Sequence, residues 1–121
     1  MNIKIKDRFK FRVWDSHKNR YLGQGPCTGL EEDGEISYLR ALEDYHVIEQ
    51  CTGLRDKNGK LIFDGDILRS PYGAIRTVRW VSNAGCFMSF PQETMSGPVL
   101  ASAFNVSIIV GNVHEGIKEK K

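Results

Sequence analysis

The sequence predicts a mainly β protein: a strongly bent sheet or small barrel with one or two short helices. Three observations point there. Apolar and basic residues alternate along the first fourteen positions. Asn58-Gly59 sits between two short apolar runs, and such a pair tolerates the positive φ that a tight hairpin turn demands. Six or seven short β-favouring runs follow one another, separated by turns bearing Gly or Pro.

The first strand is expected over Lys4 to Trp14. Ile3, Ile5, Phe9, Phe11 and Val13 occupy odd positions, and Lys4, Lys6, Arg8, Lys10 and Arg12 even ones. A period of two gives one buried and one solvated face. Asp7 interrupts the apolar series. Asp15 to Arg20 is polar and reads as a turn, and Tyr21-Leu22 as a short partner strand. Gly23 to Leu30 holds three Gly and one Pro, hence a loop, and Glu31 to Glu35 is an acidic, exposed link. Ile36 to Tyr45 is the helix candidate, because Ile36, Leu39 and Leu42 recur every third residue. A strand is the alternative there.

Val47 to Cys51 leads into the stretch with the densest turn signals, QCTGLRDKNGKLIFDGDILR at 50–69. Asn58-Gly59 is expected to close a two-residue hairpin, and Gly53 and Gly65 to mark sharp bends. Asp64-Gly65-Asp66 then opens into a new strand at Ile67-Leu68. Pro71-Tyr72-Gly73 is a turn, Ala74 to Ser82 a β-branched strand, and Asn83-Ala84-Gly85 a tight connection. Cys86 to Phe90 completes this second hairpin. Pro91 to Gly97 reads as loop, and Pro98 to Phe104 as one helical turn, since Pro suits a first helical position. Asn105 to His114 is the expected final strand, with Val106, Ile108 and Val110 on one face and Ile109 and Val113 on the other. Gly116 to Lys121 is a charged tail, expected to fray.

With 121 residues, 40% of them apolar, the chain has the length of a single domain, 1–121, with a core of its own. No apolar run is long enough to cross a bilayer, and 1–12 lacks the apolar core of a signal peptide. Cytoplasmic localisation without membrane association is expected. Cys27, Cys51 and Cys86 form no Cys-x-x-Cys pair, so they read as reduced thiols rather than a zinc or redox motif.

The net charge of +2 hides an uneven distribution. Residues 1–20 carry seven Lys/Arg against two Asp, whereas 31–49 carry seven acids against Arg40 alone. One reading makes Lys4, Lys6, Lys10 and Arg12 nucleic-acid contacts, joined by Arg76, Arg79 and Trp80 as a stacking set. The preferred reading is a solvated strand face that protects a sheet edge.

His17, His46 and His114 belong to no ligand motif. His114 beside Glu115 draws notice, but neighbours on a strand face opposite ways. Asp56, Asp64 and Asp66 offer oxygens to a hard cation, yet Asp beside Gly is what turns select, and turn chemistry is preferred. No phosphate-cradling loop or nucleophile elbow occurs. No catalytic, cofactor-binding or metal-binding residue is assigned, and an enzyme remains only as a site assembled in three dimensions.

TGLRDKNGKLIFDGDILR resembles the signature of the YopX family, small proteins encoded by phages and prophages. IKDRFKFRVWD resembles that family's opening strand, which runs through Phe-Arg-x-Trp-Asp, and IIVGNVHEG resembles its closing element. The three blocks keep the family's order and span nearly the whole chain. Residues 36–49 and 91–104 lie outside the resemblance. It implies a YopX-like β fold and a phage or prophage origin in a bacterial host, and it brings no established catalytic residues. The leading reading is a non-enzymatic accessory protein that binds an unknown host or phage protein, or itself. A small-barrel nucleic-acid binder is the alternative. A homo-oligomer is expected, with Ile109 and Val113 as candidate interface, because one small sheet cannot cover both apolar faces of the last strand.

Overall fold

The computed structural model describes residues 10–21, 43–91 and 99–118. These form short strands and one 3-10 helix, so the protein is mainly β, as its sequence predicts. The chain divides into two compact units, with the boundary between Gly53 and Leu54.

In the first unit β1 (Phe11–Asp15) pairs antiparallel with both β2 (Arg20–Tyr21) and β3 (His46–Arg55). Positions 4–9 of the expected first strand lie outside the described residues. Asp15 belongs to the strand rather than to the turn, opposite Arg20 and His46. The turn itself is 16–19 and closes on Asn19 at φ 53°, a conformation Asn tolerates. Alternation fails at the end of β1, where Val13, Trp14 and Asp15 are buried in succession. Trp14 packs edge-on against Tyr21, with ring centroids 5.0 Å apart. The Asp15 carboxylate turns inward to accept the N–H groups of His17 and Lys18 at 2.9 and 3.0 Å. Of the helix candidate, 36–42 lie outside the described residues. Asp44-Tyr45 is a turn, closed by the N–H of His46 donating to the Glu43 carbonyl at 3.0 Å.

The second unit contains β4 (Leu61–Phe63), β5 (Asp66–Arg69), β6 (Ile75–Val81), β7 (Cys86–Pro91), β8 (Val99–Leu100), β9 (Ile108–Asn112) and β10 (Gly116–Ile117). The last six of these make an antiparallel sheet in the order β10-β9-β5-β6-β7-β8. Its core is Ile62, Leu68, Val78 and Phe104, with Phe87 and Ile109 packed against them. Phe104 reaches this core from the 3-10 helix Ala101–Val106. The helical turn expected at 98–104 thus lies at 101–106 instead, after the short strand β8. Positions 92–98 lie outside the described residues.

The central hairpin differs from the two-residue turn expected of Asn58-Gly59. Three residues, 57–59, span the turn, and the N–H of Asp56 donates to the Lys60 carbonyl at 2.8 Å. Gly59 has φ 84°, as the sequence requires, and Asn58 is not among the positive-φ residues. The reason is Asp56. Its carboxylate accepts the N–H groups of Asn58 and Lys60, each at 2.9 Å. This favours a right-handed turn followed by one left-handed residue. The next turn repeats the design with Ser70 in place of Asp56. The N–H of Ser70 donates to the Ala74 carbonyl at 2.9 Å, Ser70 Oγ accepts from Tyr72 and Ala74 N–H, and Gly73 has φ 87°.

The closing strand is shorter than the expected 105–114. Asn105 and Val106 end the 3-10 helix, and 113–115 form a turn. A bulge also breaks its alternation. Gly111 sits opposite Ile67 and Ile109 opposite Leu68, so Val110 has no opposite number. A bulge lets two successive side chains turn the same way. Val110 is buried, and Ile109, expected to face outward, packs against the core instead. Of the tail expected to fray, 119–121 lie outside the described residues, and its start is a strand. Gly116 and Ile117 pair with Asn112 and Gly111. The hairpin is so close that a Cβ on Gly111 would collide with the backbone of Gly116 and Ile117. Among the described residues, no helix is long and apolar enough to cross a membrane.

A candidate binding groove

The Ser70 turn aims one aromatic residue at solvent. Pro71 has a restricted φ, Gly73 takes the left-handed position, and Ser70 Oγ holds the N–H groups on either side. Tyr72 therefore sits at the tip of a braced loop, 97% exposed. The 3-10 helix supplies the facing wall, and its Val106 is 48% exposed. Between them runs a groove of about 490 Å³, floored by Leu68 and Phe104 and walled by Ala74, Ala103 and Val106. Arg76, Ser89 and Ser107 supply its polar edge.

This groove shares Tyr72 and Val106 with a second depression of about 560 Å³, which Lys57, Arg69 and Ile108 also line. That one shares Arg69 and Ile108 with a third of about 400 Å³, bordered by Lys60 and Lys118. The three make one channel across the second unit, apolar at one end and basic at the other. None of the residues lining them is acidic. The nearby acids are engaged elsewhere. Asp56 is buried, with its carboxylate on three backbone N–H groups. Asp66 is buried and accepts the N–H of Phe63 at 2.8 Å. Glu115 holds Lys118 at 2.8 Å. Over 54–121 the sequence carries nine Lys/Arg against six Asp/Glu, and the two inward-facing carboxylates leave the surface more basic than that count.

The residues singled out in the sequence scatter. Lys4 and Lys6 lie outside the described residues. Lys10 precedes β1, and its carbonyl accepts the N–H of Cys51 at 2.8 Å. Arg12 is not on a solvated face. Its Nε donates to Glu49 Oε1 at 2.6 Å, and its guanidinium lies 4.7 Å from the Tyr21 ring centroid. Arg76 and Trp80 share one face of β6, with Arg79 on the other, 3.8 Å from Asp64. Trp80 is half-exposed and meets Phe87 edge-on at 5.1 Å. The three do not form one stacking platform, and only Arg76 borders the groove. Val113 is exposed in the turn after β9.

His46 Nε2 stands 3.7 Å from Asp15, while its Nδ1 accepts the N–H of Glu43 at 2.8 Å. His17 stacks on Tyr45. The N–H of His114 donates to Asn112 Oδ1 at 3.0 Å. The carboxylates of Asp56 and Asp66 serve turns, the chemistry preferred from sequence. Among the described residues no group of three or more His, Cys, Asp or Glu is placed to hold a metal ion. Sequence reasoning missed the groove residues Tyr72, Val106, Lys57 and Arg69. Pro71-Tyr72-Gly73 was the available signal, since it puts an aromatic where a turn cannot bury it.

Fold and groove define a small, mainly β protein of short antiparallel strands and braced hairpins. Its residues 10–117 match the family model described as YopX protein, and the chain belongs to the YopX family. A solved structure similar to it is protein EF1440 from Enterococcus faecalis, known from a crystal structure. The two are 26% identical, with 88% of this chain and 93% of that chain covered and a TM-score of 0.56. No curated protein matches the chain.

Proposed function

We propose that this is a phage- or prophage-encoded accessory protein of the bacterial cytoplasm, non-enzymatic, that acts by binding a protein partner along the groove of its second unit. The observation that carries the reading is Tyr72, 97% exposed on a braced turn beside an apolar channel. Aromatic anchors next to desolvated pockets dominate the energetics of protein interfaces. Braced loops also lose little entropy on binding. The test is a photo-crosslinking residue at position 72 in cells carrying the phage, with the exposed turn residue Ser82 as control. A discrete protein adduct at 72 and not at 82 is the expected result. Equal or absent labelling at the two positions overturns the reading.

Self-association through the closing hairpin is the second reading, favoured by exposed Val113 and Ile117 at its end. Val113→Glu is the probe, because Ile109 packs in the core and its substitution would disturb folding. Light scattering should show a multiple of 13.7 kDa for the wild type and a smaller mass for the variant. A wild type that is monomeric at tens of micromolar (roughly, where an interface of standard size holds) ends this second reading.

A further inference from the structure

We infer that the groove selects an extended acidic peptide bearing an apolar anchor, a specificity that rests on the protein-binding reading above. The anchor lies beside Tyr72, over Leu68 and Phe104. The peptide's carboxylates run along Lys57 and Lys60. Two features of the channel point to this ligand. Lys57 lines its second depression and Lys60 its third, and no acidic residue lines any of the three. A like-charged lining repels cationic partners and steers anionic ones. Its apolar end, built from Leu68, Ala74, Ala103, Phe104 and Val106, carries a single exposed ring, Tyr72, because Phe104 is buried.

That second feature separates a peptide from single-stranded nucleic acid. Nucleic acid is held by successive aromatic faces along a basic track. Here one exposed tyrosine stands beside a groove lined mainly by apolar side chains. Lys57 and Lys60 are offset from that groove, lining the second and third depressions. An anchor followed by acids on one side satisfies both ends at once. Asp56 and Asp66 reinforce the pattern by facing inward, since either one at the surface would oppose the ligand's charge.

Fluorescence anisotropy with the full chain tests this, using three probes: a labelled nonapeptide of Asp and Glu with one Leu near one end, the same peptide with Ser for Leu, and oligo-dT. The Leu peptide should bind saturably and weaken as salt is raised. Replacing its Leu by Ser should weaken it about tenfold or more. Tyr72→Ala and Lys57→Glu should each weaken the Leu peptide several-fold, while Lys18→Glu, in the other unit, leaves it unchanged. Positions 72, 57 and 18 are exposed, so the variants should keep the wild-type circular dichroism. Leu and Ser peptides of equal affinity overturn the anchor. Tighter binding of oligo-dT, lost in the same variants, overturns the peptide in favour of nucleic acid. A discrete crosslinked protein at position 72 without acidic-peptide binding leaves protein binding standing and overturns this specificity alone. Loss of both overturns both.

Discussion

The Asp56 carboxylate accepts a hydrogen bond from the backbone N–H of Ile109 at 3.0 Å, joining residues 53 positions apart. Its other oxygen holds the hairpin tip through Asn58 and Lys60. One buried side chain therefore shapes a local turn and ties it to the closing strand. The N–H of Lys57, donating to the Ser107 carbonyl at 2.9 Å, runs alongside. Together these bonds tie the hairpin to the start of β9, and Lys57 lines the groove with Val106 and Ile108.

Asp56→Ala should cost about 2–4 kcal/mol, because three backbone donors lose their acceptor and the site is buried. Asp56→Asn should fall between wild type and Ala, since its amide keeps one acceptor oxygen. Urea midpoints order the three proteins. A midpoint for Ala equal to that of the wild type would refute the role.

Gly59→Val should destabilise the protein by roughly 1–3 kcal/mol through backbone strain alone. Nothing lies within 4 Å of a Cβ built there, so no clash contributes, and φ is 84°. Gly59→Asn should recover much of the loss, because Asn tolerates this conformation. Equal midpoints for Val and Asn would point to some cause other than φ.

Arg12 and Glu49 face each other across β1 and β3, and the Glu49 side chain is only 2% exposed. Tyr21 Oη also donates to Glu49 at 2.9 Å. Arg12→Leu should cost about 3–5 kcal/mol by leaving a carboxylate buried without its cation. The double variant Arg12→Leu/Glu49→Leu should regain most of that, since a buried pair is often replaceable by packed apolar groups. Additive losses in the cycle would contradict this coupling.

The Asp15 carboxyl is held below its ordinary value of 3.8, chiefly by the hydrogen bond from Lys18 N–H. Burial opposes that effect, and the His17 N–H and the charges of His46 and Lys18 add to it. A depressed folded value means that Asp15 stabilises the fold fully above its unfolded value. That contribution disappears as pH falls through the lower folded value. Asp15→Asn should therefore show a smaller drop in urea midpoint between about pH 7 and about pH 3 than the wild type. Identical drops would remove Asp15 from the acid response.

The β class, the positions of most turns and the family are legible in the sequence alone. Gly59, Gly73 and Gly85 stand where φ is positive, and each demand is met by neighbours a few residues away, so it can be read locally. The same holds for Ser70 and for one oxygen of Asp56, which accept N–H groups of their own turns; the other Asp56 oxygen, on Ile109, could not be read locally. Strand pairing and its consequences come from contacts between distant segments. The bulge at Val110 depends on how β9 meets β5, and alternation counted along one strand cannot register a residue skipped by its partner. Arg12 left the solvated face because Glu49, 37 residues on, is its cross-strand neighbour. The groove exists because the Ser70 turn, the 3-10 helix and the Asp56 hairpin converge on one side of the sheet. Convergence of that kind is fixed by burial and hydrogen bonds between segments dozens of residues apart. Composition and periodicity carry no record of those distances.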